Sequence, residues 1–300
     1  MKDSYDVIVI GAGPAGMSAA GYAARAGHDV LLLDAAAPGG QLMFIDQIEN
    51  YPGFESISGF ALAEKMESQA TSFGVEVEYG EVTSVKQSDG GFIVSTGDGD
   101  VPARAVILAM GARHRHLDVP GEEEYSGRGV SYCATCDGPF FKGRRVVVVG
   151  GGDTALTDAV YLSRLCSSVK VVHRRNEFRA QKAIQDKMRA CSNIQTVTPH
   201  TVKEILGDGE KVTGVVLDDG SLIETDGIFI FTGILPNSQI VKDLVELDEA
   251  GFVRTDSMMR TSLEGVYAVG DLRTTPFRQV VTAAGDGAVA AHMADEYLNR

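Results

Sequence analysis

Tyr5-Asp6-Val7-Ile8-Val9-Ile10-Gly11-Ala12-Gly13-Pro14-Ala15-Gly16 is the stretch that decides the fold. A β-branched apolar run enters a glycine turn, and an alanine-rich segment leaves it and ends at Ala26-Gly27. That order reads as strand, tight turn, helix and glycine stop. Each glycine has its own task. Gly11 permits the turn, Gly13 lets a diphosphate approach the backbone, and Gly16 lets the helix pack closely on the strand. A diphosphate then rests where the helix begins, with Pro14 opening the helix and Ala15 and the residues after it offering free amides, in the positive end of the helix dipole. The second apolar strand, Val30 to Leu33, ends at Asp34, an acceptor placed for a ribose hydroxyl.

The same order returns in mid-chain. Arg145 to Val149 is a buried-type strand, Gly150-Gly151-Gly152-Asp153-Thr154-Ala155 has GxGxxA spacing, and Leu156 to Leu165 has helical periodicity. The strand Val169 to Val172 then runs into His173-Arg174-Arg175-Asn176-Glu177-Phe178-Arg179, where an NAD site would carry a carboxylate. Guanidinium groups pair with phosphate through several charge-assisted hydrogen bonds, so this end matches a ribose bearing a 2′-phosphate. NADPH is therefore expected over NADH. The fold class expected is α/β, with two Rossmann-like three-layer domains.

Just upstream of the second turn stands Cys133-Ala134-Thr135-Cys136-Asp137. Two cysteines at this spacing, at a helix start, can close a disulfide, and the helix dipole lowers the thiolate pKa. In the reduced pair one thiolate attacks a partner disulfide and the other resolves the mixed disulfide. Asp137 is placed to move the proton of the leaving sulfur. A zinc site is the rival reading, but it needs about four ligands, commonly with a second close pair. Cys166 and Cys191 are isolated in sequence, and none of the six histidines is spaced with them as a ligand pair, so no metal is expected. Cys166 is read as packed within an apolar helix and Cys191 near a helix end. A hydride does not pass usefully from NADPH to a disulfide directly, whereas a flavin accepts it and hands two electrons to sulfur, so the first turn is expected to hold FAD.

Several other segments fit a flavin. Gly39-Gly40-Gln41-Leu42 and Ile48-Glu49-Asn50-Tyr51-Pro52-Gly53-Phe54 form a long polar connection. Near the other terminus a short strand leads into Gly270-Asp271, then Arg278-Gln279 and a helix rich in small residues through Gly287. Asp271 can reach ribityl or ribose hydroxyls; a capped turn under a tightly packed helix is the alternative for either segment alone. Phe140 and Phe141 beside the dithiol read equally as a docking surface for a protein substrate or as core. His114 and His116, alternating with Arg113 and Arg115, read as a solvated linker.

Composition bounds the rest. The chain has 300 residues, enough for two ordinary domains, and a net charge of -14, which argues against nucleic acid and anionic membranes as partners. No apolar run approaches the ~20 residues of a membrane span. The start, Met1 to Asp6, runs directly into a strand with no room for a leader, and a cytoplasmic protein is expected.

Together these segments resemble the low-molecular-weight thioredoxin reductases, over nearly the whole chain. The resemblance rests on the first glycine turn, Gly39-Gly40-Gln41, Glu49-Asn50-Tyr51-Pro52-Gly53, Cys133-Ala134-Thr135-Cys136-Asp137-Gly138, the Gly150 turn, His173-Arg174-Arg175 with Arg179, and Gly270-Asp271 through Arg278-Gln279 to Gly287. It implies a homodimeric FAD enzyme of the class II pyridine nucleotide-disulfide oxidoreductases that oxidises NADPH and reduces thioredoxin. Cys136 would face the flavin, Cys133 would attack thioredoxin, and Asp137 would be the acid/base. It adds Leu42, Val82, Gly111, Val280 and Ala283 to the FAD contacts, and Ile234 to the NADPH contacts made by Gly152, Asp153, Thr154, Ala155 and the His173 to Arg179 segment. It implies an FAD domain of 1–113 and 240–300, split by an NADPH domain of 114–239 that carries the CxxC and rotates on its two linkers.

Two positions depart from that family. Thr157-Asp158 stands where relatives commonly have two glutamates, and Met110 where they often have threonine. A flavoprotein of the alkyl hydroperoxide type would use NADH and carry an extra N-terminal region, and the arginine set speaks against it. Ferredoxin- or oxygen-driven relatives tend to lose the NADPH motif. A dinucleotide-sensing protein on the same scaffold would have a dispensable dithiol.

Overall fold

The computed structural model describes residues 2–36 and 38–300; Met1, at the head of the expected first domain, lies outside them, as does Ala37. The chain divides into two compact units, Met1–Arg113 with Leu235–Arg300, and His114–Ile234.

The first unit starts with β1 (Tyr5–Ile10), α1 (Pro14–Arg25), β2 (Val30–Asp34), α2 (Gly59–Ser72) and β3 (Glu76–Tyr79). A meander of β4 (Val82–Ser88), β5 (Gly91–Thr96) and β6 (Gly99–Leu108) follows, giving the strand order β3-β2-β1-β6-β5-β4. β1 pairs in parallel with both β2 and β6, whereas β4, β5 and the first half of β6 are antiparallel. Because successive strand residues face opposite ways, Val7 and Val9 join one apolar cluster with the helices while Ile8 and Ile10 join another with the meander. The three layers follow from that alternation.

The second unit repeats the plan. It is entered through β7 (Ala112–His114), and then come β8 (Val130–Ser131), α3 (Ala134–Asp137), β9 (Arg145–Val149), α4 (Asp153–Ser163), β10 (Ser168–Val172), α5 (Lys182–Arg189) and β11 (Ile194–Val197). The meander β12 (Val202–Gly207), β13 (Val212–Leu217) and β14 (Leu222–Glu224) precedes β15 (Gly227–Ile230) and β16 (Ile234–Pro236). The parallel sheet runs β11-β10-β9-β15-β8. Val146 and Val148 face α4 and α5, and Val147 and Val149 face the meander. A helix was expected over Leu156 to Leu165. It runs instead from Asp153 to Ser163, because the turn glycine Gly152 is its N-cap and the chain turns at Arg164. Cys166 therefore lies just past the helix and not within it; it is buried, its N–H donates to the Leu162 carbonyl, and burial pushes its thiol up to about 11.

β7 and β16 pair as a two-stranded ribbon. The chain leaves the second unit at Ile234, five residues before the expected boundary at 239, since Asn237 already bonds to the Met110 and Gly111 carbonyls of the first unit. The first unit is completed by β17 (Val266–Ala268), parallel to β6, and α6 (Val280–Leu298). α6 packs on α1 at very close range. A Cβ on Gly287 would stand 2.2 Å from the Ala15 carbonyl oxygen, and Ser18 Oγ donates to the Ala284 carbonyl at 2.7 Å.

Candidate active site

In the first turn the outer glycines are fixed by the protein itself. Gly11 has φ of 104°, and a Cβ on it would lie 2.4 Å from the Ala109 carbonyl oxygen; one on Gly16 would lie 1.8 Å from the Gly11 carbonyl oxygen. Gly13 differs. Its φ of −75° suits any residue, and a Cβ there would meet no atom within 4 Å. The protein has no packing reason for glycine at this point; a phosphate approaching the α1 amides does. Asp34 Oδ2 accepts the Ala12 N–H at 2.5 Å and Oδ1 the Ala36 N–H at 3.0 Å, which ties the end of β2 to the turn and leaves acceptor capacity over for a ribose.

The long connection returns to this turn. Gly39 N–H donates to the Ala12 carbonyl at 2.8 Å, and the 3₁₀ turn Gly40–Phe44 carries exposed Gln41 and buried Leu42 beside it. Asn50 Nδ2 donates to Gln279 Oε1 at 3.1 Å, joining two predicted segments that are 229 residues apart in sequence. Gln279 is the N-cap of α6, locked by a reciprocal pair of bonds with Thr282, so Val280 and Ala283 stand in its first turn. Val82 is buried in β4, and Gly111, with φ of 62°, has open space where a Cβ would stand.

Asp271 and Arg278 hold unused polarity. Burial pushes the Asp271 carboxyl up, with the nearby Arg278 charge opposing it, and no hydrogen bond reaches that carboxyl among the described residues. Arg278 lies over the Phe252 ring at 4.3 Å, and its buried Nε has no partner. A buried donor left unmet costs ~1–3 kcal/mol, so these groups fit a polar ligand better than they fit an empty turn. The sequence did not disclose the brace beneath them. Arg273 makes a two-pronged ion pair with Asp286, at 2.7 and 2.9 Å, and Asp286 also accepts the Gly270 N–H at 3.1 Å.

The second turn has the same open middle. A Cβ on Gly152 would meet nothing within 4 Å, whereas one on Gly150 would lie 2.6 Å from the Phe231 carbonyl oxygen. Gly151 makes room for the His173 ring, whose nearest atom would be 2.4 Å from a Cβ there. His173 is buried, stacks on Phe178 at 5.3 Å, and has an orphaned Nε2; burial first, and then the surrounding arginines, hold its pKa below the usual value. The segment after it folds back, with the Arg179 N–H on the Gly151 carbonyl at 2.8 Å. Arg174, Arg175 and Arg179 are exposed, and among the described residues none has an ion-pair partner. Asp153 accepts from Gln181 N and Nε2 and so anchors the start of α5, leaving Thr154 and Ala155 to present the first-turn amides. Ile234 sits in β16.

The dithiol caps a four-residue helix. Cys133 is the N-cap of α3 and is joined to Cys136 as a disulfide with Cα atoms 5.3 Å apart. Asp137 ends that helix, its carboxyl pushed up by burial and pulled the other way by a hydrogen bond from Ser131. Phe141 packs edge-on against Phe229 at 5.3 Å and fills the space beside Gly227, so it belongs to the core; Phe140 remains 41% exposed. Tyr132 stacks on His114 at 4.9 Å and donates to buried Glu122, which also accepts the Leu117 and Asp118 N–H groups. The expected solvated linker is in that part an ordered network.

A family model described as pyridine nucleotide-disulphide oxidoreductase matches residues 5–287. The thioredoxin reductase of Treponema pallidum (strain Nichols) is 47% identical over 305 aligned residues, covering 100% of this chain and 99% of that one. This chain belongs to the thioredoxin reductases of that family. A thioredoxin reductase structure from Streptococcus pyogenes matches with a TM-score of 0.96 at 44% identity, covering 100% and 99% of the two chains. That of Lactococcus lactis, described as the FR conformation, matches at 0.67 with the same 44% identity and 99% coverage of both. Thioredoxin reductases of this family use FAD and NADPH. The open Gly13 and the idle Asp271 and Arg278 groups fit the first, and the open Gly152 with its unpaired arginines fits the second. Among the described residues no helix is long and apolar enough to cross a membrane.

Proposed function

We propose that this chain is an NADPH-dependent thioredoxin-disulfide reductase in which Cys136 receives electrons, Cys133 attacks thioredoxin and Asp137 moves the proton. The observation that carries this is the Cys133–Cys136 disulfide with the partly buried Asp137 carboxyl at its side, its proton affinity raised by burial, in the same unit as an open nucleotide turn flanked by unpaired arginines. Bound FAD supplies the two-electron relay that neither NADPH nor sulfur provides alone.

The chain's own residues do the rest. The α1 and α4 amides hold the two diphosphates, Asp34 takes a ribose hydroxyl, and Arg174, Arg175 and Arg179 take a 2′-phosphate that NADH lacks. Cys133 sits at the N-cap of α3 with the Cys136 N–H on its sulfur at 3.2 Å, which favours its thiolate once the disulfide is open. Both the dithiol and the NADPH turn belong to one unit and the flavin turn to the other. One flavin must serve both in turn, so the NADPH unit rotates on the β7 and β16 connections. The existence of equally similar relatives with very different overall superposition supports that reading.

Thioredoxin is proposed to dock at exposed Phe140, and a second copy of the chain to cover apolar side chains of the FAD unit such as Phe44 and Phe60, 73% and 58% exposed. We place the enzyme in the cytoplasm, where its free thiols at Cys166 and Cys191 and its exchangeable disulfide suit a reducing environment. The test is a steady-state assay with NADPH or NADH, with and without thioredoxin. Rapid NADPH oxidation only when thioredoxin is present supports the proposal, and equal use of both nucleotides refutes the arginine assignment.

A further inference from the structure

Ser131 stands two residues before the dithiol and is buried, at 4% exposure. Its backbone is held by the sheet: β8 pairs Val130 with Ile228 and Ser131 with Phe229. A hydroxyl has one proton to give and two lone pairs to fill. The proton goes to Asp137 Oδ2 at 2.6 Å, and one lone pair takes the Cys133 N–H at 3.1 Å; the Cys133 carbonyl, at 3.3 Å, is the poorer competitor for the proton. The loop closes through the Asp137 N–H, which donates to that carbonyl at 3.1 Å. Among the described residues no other donor bonds the Asp137 carboxylate.

We propose that Ser131 is a positioning residue for the disulfide exchange, its hydroxyl holding the Asp137 carboxyl in register with the Cys133 end of the dithiol. This rests on the reading of Asp137 as the acid/base. In the exchange, protonated Asp137 gives its proton to the sulfur that leaves, and the resulting carboxylate recovers one from the thiol that attacks next; the Ser131 hydroxyl stays bonded to the same oxygen throughout. Burial raises the proton affinity of Asp137, and the Ser131 bond restrains that rise. The helix packed on α3, α4, brings Asp153, Asp158 and Tyr161, and the 3₁₀ turn Gly138–Phe141 and strands β8 and β15 bring no ionisable group. None of these charges weighs on Asp137, whose balance lies between burial and Ser131.

The test uses the full-length holoenzyme, reduced anaerobically, and follows its reoxidation by oxidised thioredoxin across pH in the wild type, Ser131→Ala, the same-shape pair Ser131→Thr and Ser131→Val, and Asp137→Asn. A ¹³C NMR titration of the Asp137 carboxyl accompanies it. Losing a hydrogen bond to the charged form should move the Asp137-dependent limb and the NMR titration up by about one pH unit in the alanine and valine variants. Threonine should hold both near the wild-type position, and Asp137→Asn should remove the limb. A limb that stays in place in both Ser131→Ala and Ser131→Val, while Asp137→Asn abolishes it, overturns the role of Ser131 alone. A limb that survives Asp137→Asn overturns the acid/base reading beneath it.

Discussion

The two glycine turns solve one packing problem twice and then part at three equivalent positions. Gly11, Gly13 and Gly16 correspond to Gly150, Gly152 and Ala155, and in both turns only the middle glycine faces open space. The third position is where tightness differs. Gly16 admits no Cβ, whereas Ala155 is accommodated and fully buried. One helical turn later, α1 has buried Ala19 and α4 has Asp158, whose carboxyl burial pushes up to about 6. At the end of the second strand the first unit has Asp34, and the second has His173 followed by its arginines. In the proposed reading the shared backbone makes a diphosphate site of each turn, and the departures decide which dinucleotide each takes.

The largest expected effect separates the two open glycines. Gly13→Val should cost flavin affinity by more than ~100-fold and give a colourless protein, while Gly152→Val should keep the flavin and raise the NADPH KM by a similar factor. Flavin content and KM measured on both variants check this, and flavin loss from both would break the assignment of one cofactor per turn. Next in size, neutralising Arg174 and Arg175 together as glutamines should raise the NADPH KM by ~10–100-fold and the NADH KM by no more than ~3-fold. Third, Gly16→Ala should destabilise by ~2 kcal/mol through overpacking against the Gly11 carbonyl, and Ala155→Gly by only ~1 kcal/mol, as read from denaturant midpoints.

The smallest effect carries a sign. The Asp158 pKa in the folded chain lies above that of an unfolded aspartate, so its favourable contribution is complete below about pH 4 and is lost as pH rises through about 6. Asp158→Asn should therefore raise the melting temperature at pH 8, by the equivalent of ~1 kcal/mol given the partial exposure of the carboxyl, and change little at pH 4. An equal shift at both pH values would remove burial as the cause.

Local order was legible wherever one short window held the whole pattern. Strand, turn and helix follow each other within Tyr5 to Arg25 and again within Arg145 to Ser163, and the basic end of β10 is adjacent to its strand. What escaped depends on partners brought in by tertiary packing. The Arg273–Asp286 brace spans a turn, and each residue alone reads as surface charge. Phe140 and Phe141 are neighbours with the same chemistry, and only the packing of Phe229 against one of them tells core from surface. Ser131 carries no motif at all; a hydroxyl two residues before a CxxC gains meaning once β8 fixes it where it donates to Asp137. His114 and His116 looked like a solvated link because Glu122 and Tyr132, which order them, lie further along the chain.

The central claim is that electrons from NADPH end on the Cys133–Cys136 pair and leave through it. Anaerobic titration of the holoenzyme with NADPH, followed by mixing with oxidised thioredoxin, tests it in one experiment with the Cys136→Ser variant alongside. The wild type should take up about four electrons per chain, two for the flavin and two for the disulfide, and thioredoxin should restore its flavin absorbance rapidly. The variant should take up about two and stay bleached. A variant that thioredoxin reoxidises as fast as the wild type would contradict the account.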